Sequence, residues 1–315
     1  MHLKTKALLL VLILTLALSA TTGTALAETT GTRTDMTVAE AIEVSDMYDR
    51  TVTLEKPASR VVAVMPADVE ILYALGAGDV LVGRGEFADY PAEAKEVTAV
   101  ASGNELNIEQ ILALEPDLVL LTKMYQRVED LELMEKAGIV VAISDAQDIA
   151  GVYQAIAMIG ALVGKDEEAS ELTADMKSRF DAVAERAAEE KGGTVYFEVS
   201  PLEYGLWTAG KETFLDEIGM LVGHENIFSD VDGWAEVSEE DVLDRDPDVI
   251  VTITMYFGEG PLPEEEIAGR NGWGNLNAVK NGRIYLADAD AISRPGPRLA
   301  DAAEDMLAFL YPDEP

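Results

Sequence analysis

The chain has 315 residues, with 59 Asp+Glu against 23 Lys+Arg and a formal net charge of −36. So negative a surface repels nucleic acid and anionic membrane, and neither is expected as a partner. The absence of cysteine excludes disulfides, thiolate metal sites and a lipid on an N-terminal cysteine.

Residues 1–27 read as a secretory signal. Lys4 and Lys6 form a basic start, 7–18 is an apolar run, and Ala25-Leu26-Ala27 is an A-x-A cleavage site, so the mature protein is expected to be exported and cut after Ala27. Residues 28–59 read as a polar leader followed by a small hairpin over 43–54. The pattern then alternates. Strands are predicted over 60–65, 80–83, 118–122 and 139–144, and helices over 69–75, 107–114, 128–137 and 149–163. Pro66-Ala67-Asp68 reads as the end of the first of these strands. Alternating strands and helices imply a parallel sheet, hence an α/β lobe over 60–164.

Residues 165–191 contain neither Gly nor Pro, and Ala, Glu, Lys, Arg and Leu dominate them. Leu172, Met176, Phe180, Val183 and Ala187 fall on one helical stripe, and Gly192-Gly193 supplies a stop. A single long helix is predicted there. Alternation resumes over 192–315, with strands over 194–199, 207–208, 249–254 and 284–287, and helices over 213–222, around 241–243 and over 299–310. The fold expected is α/β, two Rossmann-like lobes with parallel sheets joined by one long helix.

The lobes share a sequence unit. A shift of 131 positions lays Asn107 over Ser238, Glu109 over Glu240, Pro116 over Pro247 and Asp117 over Asp248. Asn and Ser are both N-cap residues, so the same helix–turn–strand unit is predicted once per lobe.

The stretches RVVAVMPADVEILYALGAGDVLVG, FADYPAEA, NIEQILALEPDLVLL, WTAGKETFLDEIGMLVGHENIF, WAEVSEEDVLDRDPDVIV and WGNLNAVKNGRIYLADADAISRPGPRLADAAEDM resemble the substrate-binding proteins of ABC importers for iron complexes and cobalamin. They cover about 52–311. The resemblance implies an exported, monomeric binding protein that hands its ligand to a permease dimer with ATPase subunits. It also implies that Glu109 and Glu240, one per lobe, dock onto permease arginines. Simple stabilisation of two helix starts is the alternative.

A ligand is expected between the lobes, at strand C-terminal ends. Candidates are Met65, Phe87 and Tyr125 from the first lobe, with Gly103-Asn104-Glu105 and Met124 nearby, and Trp234, Tyr256, Asp290 and Arg294 from the second, with Tyr204, Trp207, Met255 and Phe257. By the resemblance, Phe87, Trp234, Asp290 and Arg294 match ligand-contact positions of cobalamin-binding relatives. An ion pair with a neighbouring carboxylate is the other use for Arg294. Aromatic faces with one cation and one acid suit a large, partly apolar chelate: a ferric siderophore first, a corrinoid next, haem third. No protein-held metal or cofactor is expected, because His224 is the only histidine beyond the signal. No G-x-S-x-G and no G-x-x-x-x-G-K-[ST] occurs, so an enzyme is not expected; an exported hydrolase on a doubly wound fold is the rival reading.

Overall fold

A computed structural model describes residues 41–102, 106–123, 128–253 and 260–312. The secretory signal and the polar leader up to residue 40 lie outside the described residues. The leading hairpin pairs Ile42–Ser45 antiparallel with Thr51–Leu54.

The first lobe holds a five-stranded parallel sheet in the order Ala99–Val100, Leu81–Gly85, Val61–Ala63, Leu118–Leu121, Val140–Ile143. The second holds a four-stranded parallel sheet in the order His224–Asn226, Gly193–Glu198, Val249–Thr252, Ile284–Leu286. Alternate side chains of these strands go to opposite faces. Leu118 and Leu120 enter one apolar cluster and Val119 and Leu121 another; likewise Val249 and Val251 part from Ile250. Both faces are therefore covered, which explains why the strands read as unbroken apolar runs.

One cluster is common to the two lobes. It contains Val61 and Leu118 of the first sheet, Val195 and Val249 of the second, and Met176, Phe180 and Val183 between them. Those last three lie on helix Asp166–Ala187. The helix packs on helix Ile149–Val163 from the first lobe and on Phe214–Leu221 and Leu299–Leu310 from the second. Each of the three buried side chains contributes roughly 1.5–3 kcal/mol. The apolar stripe predicted from spacing is thus the seam along which both lobes meet the rod.

Several local structures differ from the sequence-based expectation, and strands Ala99–Val100 and His224–Asn226 are not among those predicted. The rod ends at Ala187, short of Lys191. The N–H groups of Glu189 and Glu190 bond back three residues, to Arg186 and Ala187, so the last turn tightens before Gly192 is reached. Pro66-Ala67-Asp68 does not end a strand; it opens helix Pro66–Ala74 with Pro66 in the first turn, where its missing N–H costs nothing. Strand Trp234–Val237, not foreseen, pairs antiparallel with Leu206–Ala209.

Candidate functional site

A cavity of about 290 Å³ lies between the lobes. Its first-lobe wall is made just beyond strand C-terminal ends, where an open α/β sheet leaves room for a ligand. Met65, Ala67 and Asp68 follow strand Val61–Ala63, Thr122 follows Leu118–Leu121, and Ser144 to Gln147 follow Val140–Ile143. Phe214, Trp234, Ser293 and Pro295 form the second-lobe wall. The lining surface is mainly apolar, with its polar groups concentrated on the first-lobe wall and Ser293 facing them.

Bonds across the lobe boundary fix this geometry. Trp234 Nε1 donates to Gln147 Oε1 at 3.2 Å, and the Phe214 N–H donates to the Gln147 carbonyl at 2.8 Å. The Phe214 and Trp234 rings lie 5.3 Å apart at a tilt, a favourable aromatic arrangement. Glu217 of the second lobe accepts from the Ile149 N–H at 2.6 Å, at the start of a first-lobe helix. Burial pushes the Glu217 carboxyl up, the Ile149 bond opposes this, and Asp148 and Asp216 add to the rise.

A second set of bonds joins the lobes at Glu70, which is 3% exposed. Arg298 donates to both its oxygens, at 2.9 and 2.7 Å, and Arg294 Nη1 donates to Oε1 at 3.0 Å. Arg294 Nη2 also reaches Asp290 at 2.6 Å and Asp89 at 3.2 Å. Of the predicted ligand residues, Asp290 and Arg294 thus occupy an ion-pair network between lobes.

Met65 and Trp234 come together in the cavity wall. Phe87 is 64% exposed, and its carbonyl accepts from Arg294 at 3.4 Å. Tyr204 and Trp207 are also exposed. Tyr125 and Tyr256 lie outside the described residues, as do Gly103-Asn104-Glu105, Met124, Met255 and Phe257.

Sequence reasoning missed Asp68, Ser144, Asp145, Gln147, Phe214, Ser293 and Pro295 as wall residues. The available signal was a position at the end of a predicted strand or up to three residues past it, which singles out Asp68, Ser144, Asp145 and Gln147. Asp68 is 2% exposed and its Oδ2 has no hydrogen-bond partner among the described residues. Burial pushes its carboxyl up to about 7; Ser144 opposes the rise and Asp145 adds to it. Asp145 itself accepts from Thr122 Oγ1 at 2.8 Å.

The unit repeated in sequence is repeated in space. Asn107 Oδ1 caps helix Ile108–Ala113 through the Gln110 N–H, and Ser238 Oγ caps helix Glu239–Arg245 through the Asp241 N–H. After each helix comes a left-handed residue, Glu115 with φ 48° and Asp246 with φ 43°. Asp117 then accepts from the backbone of Ser59 and Arg60, and Asp248 from that of Thr194. Each aspartate thereby ties its own strand to the start of the neighbouring parallel one. Glu109 and Glu240 stand exposed in the first helical turn. Neighbouring Glu239 instead accepts from Trp273 Nε1 at 2.9 Å.

Among the described residues no group of three or more His, Asp or Glu is arranged to hold a metal ion, and no helix is long and apolar enough to cross a membrane.

The pattern of the periplasmic binding protein family matches residues 61–291. An uncharacterised ABC transporter substrate-binding lipoprotein of Bacillus subtilis (strain 168), YvrC, is 34% identical over 86% of both chains. The vitamin B12-binding protein of Vibrio cholerae serotype O1 is 29% identical over 81% of this chain and 90% of its own. A crystal structure from Staphylococcus epidermidis ATCC 12228, described as a possible iron-binding (periplasmic solute-binding) protein, superposes with a TM-score of 0.71. It is 32% identical and covers 81% of this chain and all of its own.

Proposed function

The chain belongs to the periplasmic binding protein family, and we propose that it is the exported subunit that delivers a metal chelate, a ferric siderophore or a corrinoid, to an ABC import permease. The inter-lobe cavity walled by Met65, Phe214, Trp234 and Pro295 carries this reading. Flat aromatic faces in a cleft between two lobes suit a large chelate, whereas a sugar calls for a denser set of polar partners. The vitamin B12-binding relative and the solved structure described as a possible iron-binding protein support the same class. Any metal arrives inside its chelator.

In this reading the protein acts as a monomer, binds without turnover, and docks through Glu109 and Glu240 on permease arginines. Two exposed carboxylates at equivalent places on the two lobes suit a two-subunit partner. Phe87, Tyr125 and Tyr256 would extend the ligand surface, with Asp290 and Arg294 at its margin. The signal is cut after Ala27. Vesicles holding the cognate permease and ATPase test the proposal: ATP-driven uptake of a chelate that depends on added protein supports it, and chemical conversion of the chelate by the protein alone contradicts it.

A further inference from the structure

Asp68 is a buried acid of the cleft that the fold answers only in part: the Ser144 hydroxyl acts on its carboxyl, yet Oδ2 has no partner among the described residues. Elsewhere, buried acids have partners: Arg294 and Arg298 bind Glu70, Arg270 binds Glu198 at 2.6 Å, and Asn226 binds Asp216 at 2.9 Å. Asp68 sits in the first turn of helix Pro66–Ala74, where the helix dipole favours negative charge. That explains how a carboxylate is tolerated there, but not why its Oδ2 is kept without a partner. A buried polar atom left unsatisfied is costly unless something else uses it.

The surroundings indicate what would use it. Asp145 lines the same wall, while Glu70, on Asp68's own helix, is taken up by the two arginines. The facing wall offers Phe214, Trp234, Ser293 and Pro295, and Gln147 is engaged by Trp234. The described lining therefore contains two carboxyls and no Lys, Arg or His. A ligand carboxylate placed there would meet like charge in a partly desolvated cleft, where repulsion is screened little. An amide or ammonium N–H seated against Asp68 would instead satisfy the buried, unpaired oxygen.

We infer that Asp68, with Asp145 beside it, accepts a hydrogen bond from an N–H donor on the ligand, and so selects chelates with amide or ammonium peripheries over those with carboxylate peripheries. This rests on the chelate-binding reading above and narrows it. A hydrogen bond to a charged group contributes about 1.5–3 kcal/mol, which corresponds to roughly 10- to 150-fold in affinity. Because burial holds the free carboxyl up near 7, binding a donor draws its proton off. Affinity for a donor-bearing chelate should therefore rise from pH 6 to pH 8.

Two matched pairs of probes test this by calorimetric titration. Dicyanocobinamide carries carboxamides where dicyanocobyrinic acid carries carboxylates. Ferrioxamine B carries an ammonium where its N-succinyl derivative carries a carboxylate. In the pair that binds, the donor-bearing member should bind at least about 10-fold tighter at pH 8. Asp68→Leu should remove most of that preference, and Asp68→Asn should remove its pH dependence. If Asp68→Leu does not fold, the pH profile of Asp68→Asn decides. Equal or tighter binding of the carboxylate member overturns the inference, as does a preference or pH profile unchanged in the variants. Binding of neither pair removes the chelate reading itself, and this inference with it.

Discussion

Trp234 of the second lobe donates its indole N–H to Gln147 of the first at 3.2 Å. The bond crosses the cleft beside the Phe214–Gln147 backbone bond and the Glu217–Ile149 cap. With Glu70 gripped by Arg294 and Arg298, and with helix Asp166–Ala187 in the shared core, the lobes are tied independently of any ligand. A continuous helix without Gly or Pro bends little. X-ray scattering curves recorded with and without ligand should superimpose; marked compaction on binding would show that these ties yield.

Glu70 should be the most sensitive of the inter-lobe groups. Glu70→Ala leaves the Arg298 guanidinium without its carboxylate in a half-buried site, and removing one partner of a buried pair costs about 3–5 kcal/mol. When Arg294 is removed, Glu70 keeps both bonds from Arg298, so Arg294→Ala should cost more than a surface substitution but less than Glu70→Ala. Denaturant unfolding of both variants measures the order.

Asp68 makes stability depend on pH with a definite sign. Its carboxyl titrates near 7 in the folded chain, against an ordinary value of 3.8, so the folded state holds the proton over the interval where the unfolded state has lost it. The contribution is present below about pH 4 and is lost as pH rises through 7. Asp68→Asn removes this loss. Its melting temperature should match that of the wild type near pH 4 and exceed it at pH 8. A variant less stable than wild type at pH 8 would mean that the carboxylate has a stabilising partner.

Much of this architecture was legible in the sequence because it is local. The rod was visible in the stripe from Leu172 to Ala187, and the repeated unit in Asn107/Ser238 and Asp117/Asp248. What escaped depends on contacts distant in sequence or on ambiguous punctuation. Pro66 both breaks strands and opens helices, and reading it the first way concealed Asp68's place on a helix. Nothing near Arg294 announces Glu70, 224 residues away, as its partner. Phe214 and Ser293 lie well past any predicted strand and become wall residues only when the lobes meet.

The docking proposed for Glu109 and Glu240 is separable from ligand binding. Glu109→Ala combined with Glu240→Ala should abolish most uptake in vesicles while leaving the ligand dissociation constant unchanged. Glu239→Ala is the control, because it loses the bond to Trp273 Nε1; it should lower stability and leave uptake intact. Normal uptake by the double variant would reduce both carboxylates to helix-start stabilisation.

The most direct test of a chelate held between the lobes is tryptophan fluorescence, because the three tryptophans occupy different places. Trp273 is fully buried in the core of the second lobe, Trp207 is exposed on the neighbouring strand, and Trp234 lines the cavity. Titration with a ferric siderophore or a corrinoid should quench emission at micromolar concentration or below. Trp234→Phe should remove most of the quenching while Trp207→Phe leaves most of it. Quenching that persists in Trp234→Phe, or that appears with a sugar or a free metal ion and with neither chelate, would contradict the account.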